Sequence, residues 1–230
     1  MNEAGPQVIE FLYGTDNYLF KNINQVTNSE LETFIMACWR CFMTNTQWLL
    51  LFYKNEQLVP YWQIAFTVRL LIETVADLKY VLSNKGRAVN ALNAYKNFPT
   101  LTDEDFIIEL RKLRGSRKEK EESLLNCNIG KGNITRIEDM LGSGYADIYA
   151  LLCNYCHCNY CGILVATNPT KQLTKLRSSS ADFVLKLCKA MQNTLSEYKK
   201  FNGLPDWLNV LSKYKSSKSI ATVGKEKDEK

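Results

Sequence analysis

The segment from residue 60 to 84 constrains the fold most, because its apolar residues recur at helical spacing on two opposite faces. Projected at about 100° per residue, one stripe contains Trp62, Ala65, Phe66, Arg69, Glu73, Ala76 and Tyr80, and the other contains Ile64, Leu71, Val75, Leu78 and Leu82. A helix that is apolar on two sides needs neighbours on both, so it lies at the centre of a bundle. The sequence therefore predicts an all-α, single-domain helical bundle.

Start and stop signals along the whole chain predict a bundle of about seven helices. Ser29 and Glu32 form a capping box that opens a helix running to Lys54, and Thr102 with Asp105 opens a later one. The remaining helical segments are predicted at 87–98, 134–141, 145–165, 180–201 and 205–214. Gly142 and Gly144 end the helix at 134–141, because glycine is the residue that most often follows a helix.

The domain organisation that follows is simple. An N-terminal segment, 1–28, packs on the bundle, residues 29–214 form the helical domain, and residues 215–230 form a disordered charged tail. The strongly charged stretch from Arg111 to Lys120 is interpreted as a solvated arm, although a basic arm can also follow a phosphate backbone. The loop 126–133 is interpreted as a turn between helices, because it lacks the spacing of a phosphate-binding loop.

Charge and composition indicate which compartment and partners are compatible with this chain, but they do not indicate a reaction. Lys and Arg number 29 against 24 Asp and Glu, and the net charge of +5 permits an acidic partner but is small for a dedicated nucleic-acid binder. The first residues lack the regions of a secretory leader, and the most apolar stretch is interrupted by charges. We therefore expect a cytoplasmic protein without a membrane span, whose eight cysteines are thiols or ligands rather than disulfides.

Arg69 and Glu73 lie one helical turn apart on the central helix and therefore contact each other on one face. Charged side chains in a buried position must find partners, so the pair has two interpretations. It is either a core ion pair that fixes the register of the helix or part of a functional polar pocket, because buried charges in helical bundles often build sites. The sequence leaves both interpretations open.

A second cluster surrounds the one histidine in the chain, His157. Residues spaced by four share a face of the predicted helix, namely Tyr149, Cys153, His157 and Cys161, with Asn154 to one side. An imidazole that titrates near neutrality beside a phenol and an amide is suited to general acid or base catalysis, and a hydrogen-bonded core histidine is the alternative. The candidate catalytic residues are therefore Arg69, Glu73, Tyr149, Asn154 and His157.

Metal, haem and thiol chemistry each fit this cysteine-rich segment less well. Zinc prefers four ligands in a tetrahedron, whereas Cys153, His157 and Cys161 on one straight helix offer two or three. Cys38 and Cys41 from another helix would complete such a site, but the chain lacks the two-knuckle pattern of a zinc ribbon or finger. Residues 153–157 also spell the C-x-x-C-H haem-attachment motif, but no export signal or distal ligand accompanies it. A thiol nucleophile lacks a group to orient its base. We therefore predict neither a metal nor a cofactor.

Three short motifs together resemble one bacterial family. Arg69-x-x-x-Glu73 is followed by RIEDML at 136–141 and by Tyr149-x-x-Leu-Cys153-x-x-x-His157. This pattern, spread over residues 30 to 165, resembles an uncharacterised bacterial helical family called domain of unknown function 5677, although Cys153 stands where that family has serine. The resemblance implies a helical fold and one polar pocket, between the 60–84 and 145–165 helices, that contains Arg69, Glu73, Tyr149 and His157. It implies no reaction.

The chain is also similar, more loosely, to the helical HEPN ribonucleases of toxin and antiviral systems, whose active site is an Arg followed shortly by a His. That motif is absent, because Ala, Leu and Leu occupy residues 150–152, where the Arg would stand. A variant site that places Arg69 beside His157 would let His157 act on a ribose 2′-hydroxyl while Arg69 stabilises the phosphorane.

Two classes of function follow from the sequence. One is a metal-independent enzyme of the toxin or phage-defence kind that cleaves RNA or processes nucleotides, and the other is a non-catalytic helical module that binds a protein partner or forms a homo-oligomer. An enzyme predicts a solvent-reachable pocket at His157 and a His157→Ala variant that loses activity but not stability. A module predicts a closed pocket, and an exposed apolar patch at Trp39, Trp48 or Trp62 favours it.

Overall fold

The computed structural model describes residues 4–23, 29–54, 61–83, 100–125, 132–156 and 169–208. Within these ranges all the regular secondary structure is helical, and eight α-helices and a 3₁₀ turn follow one another along the chain. They are α1 (Ala4–Ile23), α2 (Glu30–Lys54), α3 (Tyr61–Ser83), α4 (Asp103–Arg114), α5 (Arg117–Glu122), α6 (Asn133–Leu141), α7 (Ser143–Cys156), α8 (Pro169–Ser196) and the 3₁₀ turn Lys199–Phe201. The predicted all-α fold is confirmed.

The central position of α3 is also confirmed. This helix packs against α2, α6, α7 and α8, and one hydrophobic core joins these helices with α1. Buried residues come from both predicted stripes, and they include Ile64, Leu71, Val75 and Leu78 from one and Ala65, Ala76 and Tyr80 from the other. Phe66 is an exception because it is half exposed. The contact between α3 and α7 brings Tyr149 of the second candidate cluster to Glu73 of the first.

The two predicted helix starts are present. The Ser29 N–H donates to Glu32 Oε2 and the Glu32 N–H donates to Ser29 Oγ, both at 3.3 Å, which completes the capping box of α2. The Asp105 N–H donates to Thr102 Oγ1 at 3.2 Å and caps α4. Glu32 Oε1 also accepts a hydrogen bond from Lys200, so the start of α2 is fastened to the chain that follows α8.

Other boundaries differ from the prediction. The helix predicted to start at Ser180 begins at Pro169 and ends at Ser196, because proline is compatible with the first turn of a helix and the polar stretch after it hides the periodicity. The helix predicted from Tyr145 begins at Ser143, directly after Gly142, whose φ of 96° is in the region that favours glycine. The predicted segment 87–98, most of 205–214, and the tail 215–230 lie outside the described residues.

A helix that the sequence interpretation missed is α1. Its buried residues are spaced as one helical face, and they are Val8, Phe11, Leu12, Thr15, Leu19 and Ile23. The face packs on α2 and α8, where Trp39 Nε1 donates to Asp16 at 2.9 Å and the rings of Phe11 and Trp39 meet edge to face. The predicted N-terminal segment is therefore a full helix of the bundle over residues 4–23.

The charged stretch predicted as a solvated arm forms α5 and the end of α4. The side chains of Arg117 and Lys118 are 93% and 84% exposed, which confirms that this stretch faces solvent. Glu109 is the exception in α4, because it is buried and accepts hydrogen bonds from Lys112 and from the Leu124 N–H. In the part of the chain that the structure describes, no helix is both long and apolar enough to span a membrane.

Candidate functional site

A polar network centred on Glu73 lies where α3, α6 and α7 meet. Glu73 Oε1 accepts hydrogen bonds from Arg69 Nε and Nη2, each at 3.3 Å, and from the Tyr149 hydroxyl at 2.5 Å. Asn133 Nδ2 donates to the same oxygen at 3.3 Å. The side chains of Arg69 and Glu73 are 22% and 19% exposed, so solvent reaches this network from one side.

Three helices supply the side chains of this network. Arg69, Glu73 and Asp77 follow one another at intervals of four on α3 and therefore share a face. The first residue of α6 is Asn133, which the sequence interpretation placed in a loop, and Tyr149 comes from the second turn of α7. Gly142 has a positive φ between α6 and α7, and α7 packs against both α6 and α3.

The network continues through Arg136 to Asp77. Arg136 Nε donates to Asp77 Oδ1 at 2.6 Å, and its Nη2 donates to Asn133 Oδ1 at 2.9 Å. The Arg136 side chain is only 8% exposed, whereas that of Asp77 is 34% exposed. A buried guanidinium needs this pairing, because an uncompensated charge at such a position is strongly unfavourable.

The electrostatic environment fixes the protonation of two site residues. Burial, together with the hydrogen bond to Glu73, raises the pKa of Tyr149 to about 12, so the phenol is a hydrogen-bond donor at neutral pH. Partial burial lowers the pKa of Arg69, but the Glu73 carboxylate and the Tyr149 phenol outweigh it and raise this pKa above its ordinary value. The guanidinium carbon of Arg69 also lies 5.5 Å from the centre of the Tyr149 ring, within the range of a cation–π contact.

Two cysteines of α7 border the network. The thiol of Cys153 lies near Tyr149, and that of Cys156 lies near Arg69. Burial raises the pKa of Cys156 although Arg69 opposes the rise, so this thiol is a poor nucleophile. Both thiols are free, and no group of three or more His, Cys, Asp or Glu side chains within the described ranges is arranged to hold a metal.

The structure brings together three of the five candidate residues, Arg69, Glu73 and Tyr149. Asn154 lies on α7, but its side chain is not among those described, and His157 lies outside the described residues. Their catalytic role stays a prediction.

Three members of the network were not among the site residues predicted from the sequence: Asp77, Asn133 and Arg136. Asp77 carried a usable signal, because it continues the spacing of Arg69 and Glu73 by one more turn.

Comparisons with protein families, curated proteins and solved structures find no match to this chain. The resemblances drawn from short motifs therefore stay predictions.

Proposed function

We propose that this chain is a metal-independent enzyme that cleaves RNA or processes nucleotides, with the network around Glu73 at its active site. One observation carries the proposal: a guanidinium, a carboxylate, a phenol and an amide converge within hydrogen-bond distance at a place that solvent reaches. Convergent polar groups with a perturbed pKa at an accessible position are typical of active sites. The motif resemblances favour a toxin or phage-defence setting.

Arg69 is suited to bind a phosphate in this site. Arg69 donates to Glu73 from Nε and Nη2. Because a guanidinium has five N–H donors, further donors of Arg69 remain for an anionic substrate. Because its pKa is raised, Arg69 keeps its charge throughout the physiological range. That fixed positive charge stabilises the extra negative charge of a phosphorane transition state.

In RNA cleavage the 2′-oxygen forms a bond to phosphorus and the bond from phosphorus to the 5′-oxygen breaks. His157 removes the 2′-hydroxyl proton, and the leaving 5′-oxygen takes a proton from a solvent water molecule, which gives a 2′,3′-cyclic phosphate and a 5′-hydroxyl. Tyr149 holds Glu73 in place, and Arg69 contacts the transferring phosphoryl group. Proton transfer by a side chain contributes about 100- to 10,000-fold to such a step, so loss of His157 is measurable.

The test uses purified protein with total cellular RNA and a tRNA pool, in the presence and absence of a chelator. We expect the parent to cleave RNA under both conditions, and we expect His157→Ala and Arg69→Met to lose cleavage while keeping the parent's melting temperature within a few degrees. Arg117→Met is the matched control, because it removes the same charge from a side chain that is 93% exposed on α5. Cleavage that survives in Arg69→Met, or absence of cleavage by the parent, contradicts the proposal.

A non-catalytic interaction module is the second candidate, and a different observation favours it. Trp48 and Leu51 are neighbours on one face of α2 and are 53% and 49% exposed, whereas Trp39 is buried. A large exposed aromatic side chain beside a leucine is typical of a protein-binding or self-association surface. If the chain is such a module, Trp48→Ser changes the oligomeric state measured by light scattering, and neither the parent nor any variant cleaves RNA.

A further inference from the structure

We propose that Asn133 and Arg136 are positioning residues of this site: Arg136 fixes the orientation of the Asn133 amide, and the amide directs the Tyr149 proton to Glu73. The catalytic meaning of this inference rests on the proposed function. The hydrogen-bond arrangement itself does not, and it can be measured separately.

The orientation of the Asn133 amide follows from its neighbours. A guanidinium only donates hydrogen bonds, so Arg136 Nη2, at 2.9 Å, requires the oxygen of the amide to face it. The amide nitrogen must then point the other way, toward Glu73 and Tyr149. Arg136 is itself held by Asp77 at 2.6 Å, and with only 8% of its side chain exposed it has little freedom to turn away.

The direction of the hydrogen bond from Tyr149 follows next. Asn133 Nδ2 donates to the Tyr149 oxygen at 3.2 Å, so the phenol oxygen is an acceptor in that contact. The hydroxyl proton is left for the 2.5 Å contact with Glu73 Oε1. Each hydrogen bond in the series that links Asp77 to Glu73 through Arg136, Asn133 and Tyr149 therefore has one defined direction.

This arrangement distinguishes the two oxygens of Glu73. Oε1 receives donors from Arg69, Tyr149 and Asn133, and within the described ranges no residue donates to Oε2. Among the donors of the described residues, none occupies Oε2, so this oxygen is placed to accept a hydrogen bond from a substrate. Since Asp77 balances the charge of Arg136, the positioning pair orients the site without changing its net charge.

The experiment follows Tyr149 directly by the ¹³Cζ resonances of labelled tyrosine, with Tyr149 assigned from its loss in Tyr149→Phe. Asn133→Leu keeps the size of the side chain and removes its three hydrogen bonds, which are those to Glu73, Tyr149 and Arg136. Arg136→Lys keeps the charge beside Asp77, but its one nitrogen cannot replace both Nε and Nη2. Asn133 is exposed, so its replacement is compatible with folding, and Asn193→Leu at an exposed position of α8 is the matched control.

We expect the Tyr149 resonance to shift in Asn133→Leu and, in the same direction, in Arg136→Lys, and to stay at the parent position in Asn193→Leu. In the RNA assay we expect kcat to fall by about 10- to 100-fold in Asn133→Leu with KM unchanged, as for a misplaced catalytic group. An unshifted Tyr149 resonance in a folded Asn133→Leu protein overturns the positioning role. A shifted resonance in a chain that cleaves no RNA supports the positioning role and refutes the proposed function.

Discussion

The Tyr149 hydroxyl donates a 2.5 Å hydrogen bond to Glu73 Oε1 and joins two residues that are 76 positions apart in the sequence. The contact fastens α7 to the central helix α3, and it draws the partly exposed ion pair of Arg69 and Glu73 into a network with Asn133. A contact of this kind has two roles. It contributes to the packing of three helices, and it presents Glu73 in one orientation.

Tyr149→Phe is expected to lower the free energy of unfolding by about 1–3 kcal/mol, because a hydrogen bond to a charged group is lost while the ring is kept. Tyr145→Phe on the same helix is the control. Tyr145 is half-buried and its ring packs on Phe183 at 5.3 Å, a contact that phenylalanine preserves. Urea unfolding of both variants checks the prediction, and equal stabilities would show that the hydroxyl of Tyr149 contributes nothing.

The parts of the molecule that the sequence predicted are the local ones. The capping box of Ser29 and Glu32 and the contact of Arg69 with Glu73 each involve residues within one turn of a helix, where spacing alone determines the geometry. The two-sided apolar pattern of α3 likewise predicted its central position, because burial follows directly from periodicity.

The parts that could not be predicted depend on how distant helices pack. Asn133 meets Glu73 across 60 positions, and the contact exists only because α6 starts beside α3. No pattern near Asn133 indicates this, since glycine and asparagine are also typical of loops. By contrast, α1 was missed despite a visible signal, because its apolar face is regular.

The ion pair of Asp77 and Arg136 is expected to stabilise the junction of α3 and α6. In a double-mutant cycle with Asp77→Asn and Arg136→Met, we expect a coupling energy of about 1–3 kcal/mol, since the guanidinium is largely buried. The exposed pair of Arg117 and Glu121 on α5 gives the control cycle, and no measurable coupling is expected there. Equal coupling in the two cycles would contradict the role assigned to burial.

We expect α4 and α5, which together form the charged arm, to separate at acid pH, because their contact depends on Glu109. Hydrogen bonds from Lys112 and from the Leu124 N–H hold the pKa of Glu109 below its ordinary value of about 4.5, although burial opposes the shift. A carboxyl group with a lowered pKa stabilises the folded state above its unfolded pKa and loses this contribution as pH falls through its folded pKa. The arm therefore weakens as the pH falls below about 4.5.

Hydrogen exchange of the Leu124 amide, corrected for the intrinsic rate at each pH, measures this opening. In the parent, protection of the amide should decrease as the pH falls through that range. Glu109→Gln should give lower protection at neutral pH and little dependence on pH. Glu121→Gln, at a 62% exposed side chain of α5, should follow the parent. If the parent and Glu109→Gln show the same pH dependence, Glu109 does not cause the opening at acid pH.

Gly14 lies in α1 against the ring of Trp207. A Cβ atom at residue 14 would lie 2.5 Å from Trp207 Cε2, closer than real Cβ contacts allow. In an open helix, alanine is more stable than glycine by about 0.5–1 kcal/mol, whereas overpacking of a filled site costs about 1–3 kcal/mol. Because the overlap involves a ring in the packed interface, we expect the second effect to be larger and Gly14→Ala to destabilise the protein.

Gly144→Ala is the matched control, because a Cβ atom there meets nothing within 4 Å in the first turn of α7. Urea unfolding should therefore give opposite signs, with Gly14→Ala less stable than the parent and Gly144→Ala as stable or more so. Truncation of the ring should relieve the overlap, so the double variant Gly14→Ala/Trp207→Leu should lose less stability than the two single variants combined. If Gly14→Ala proves as stable as the parent, Trp207 does not pack tightly on α1, and the start of the bundle is looser than the structure indicates.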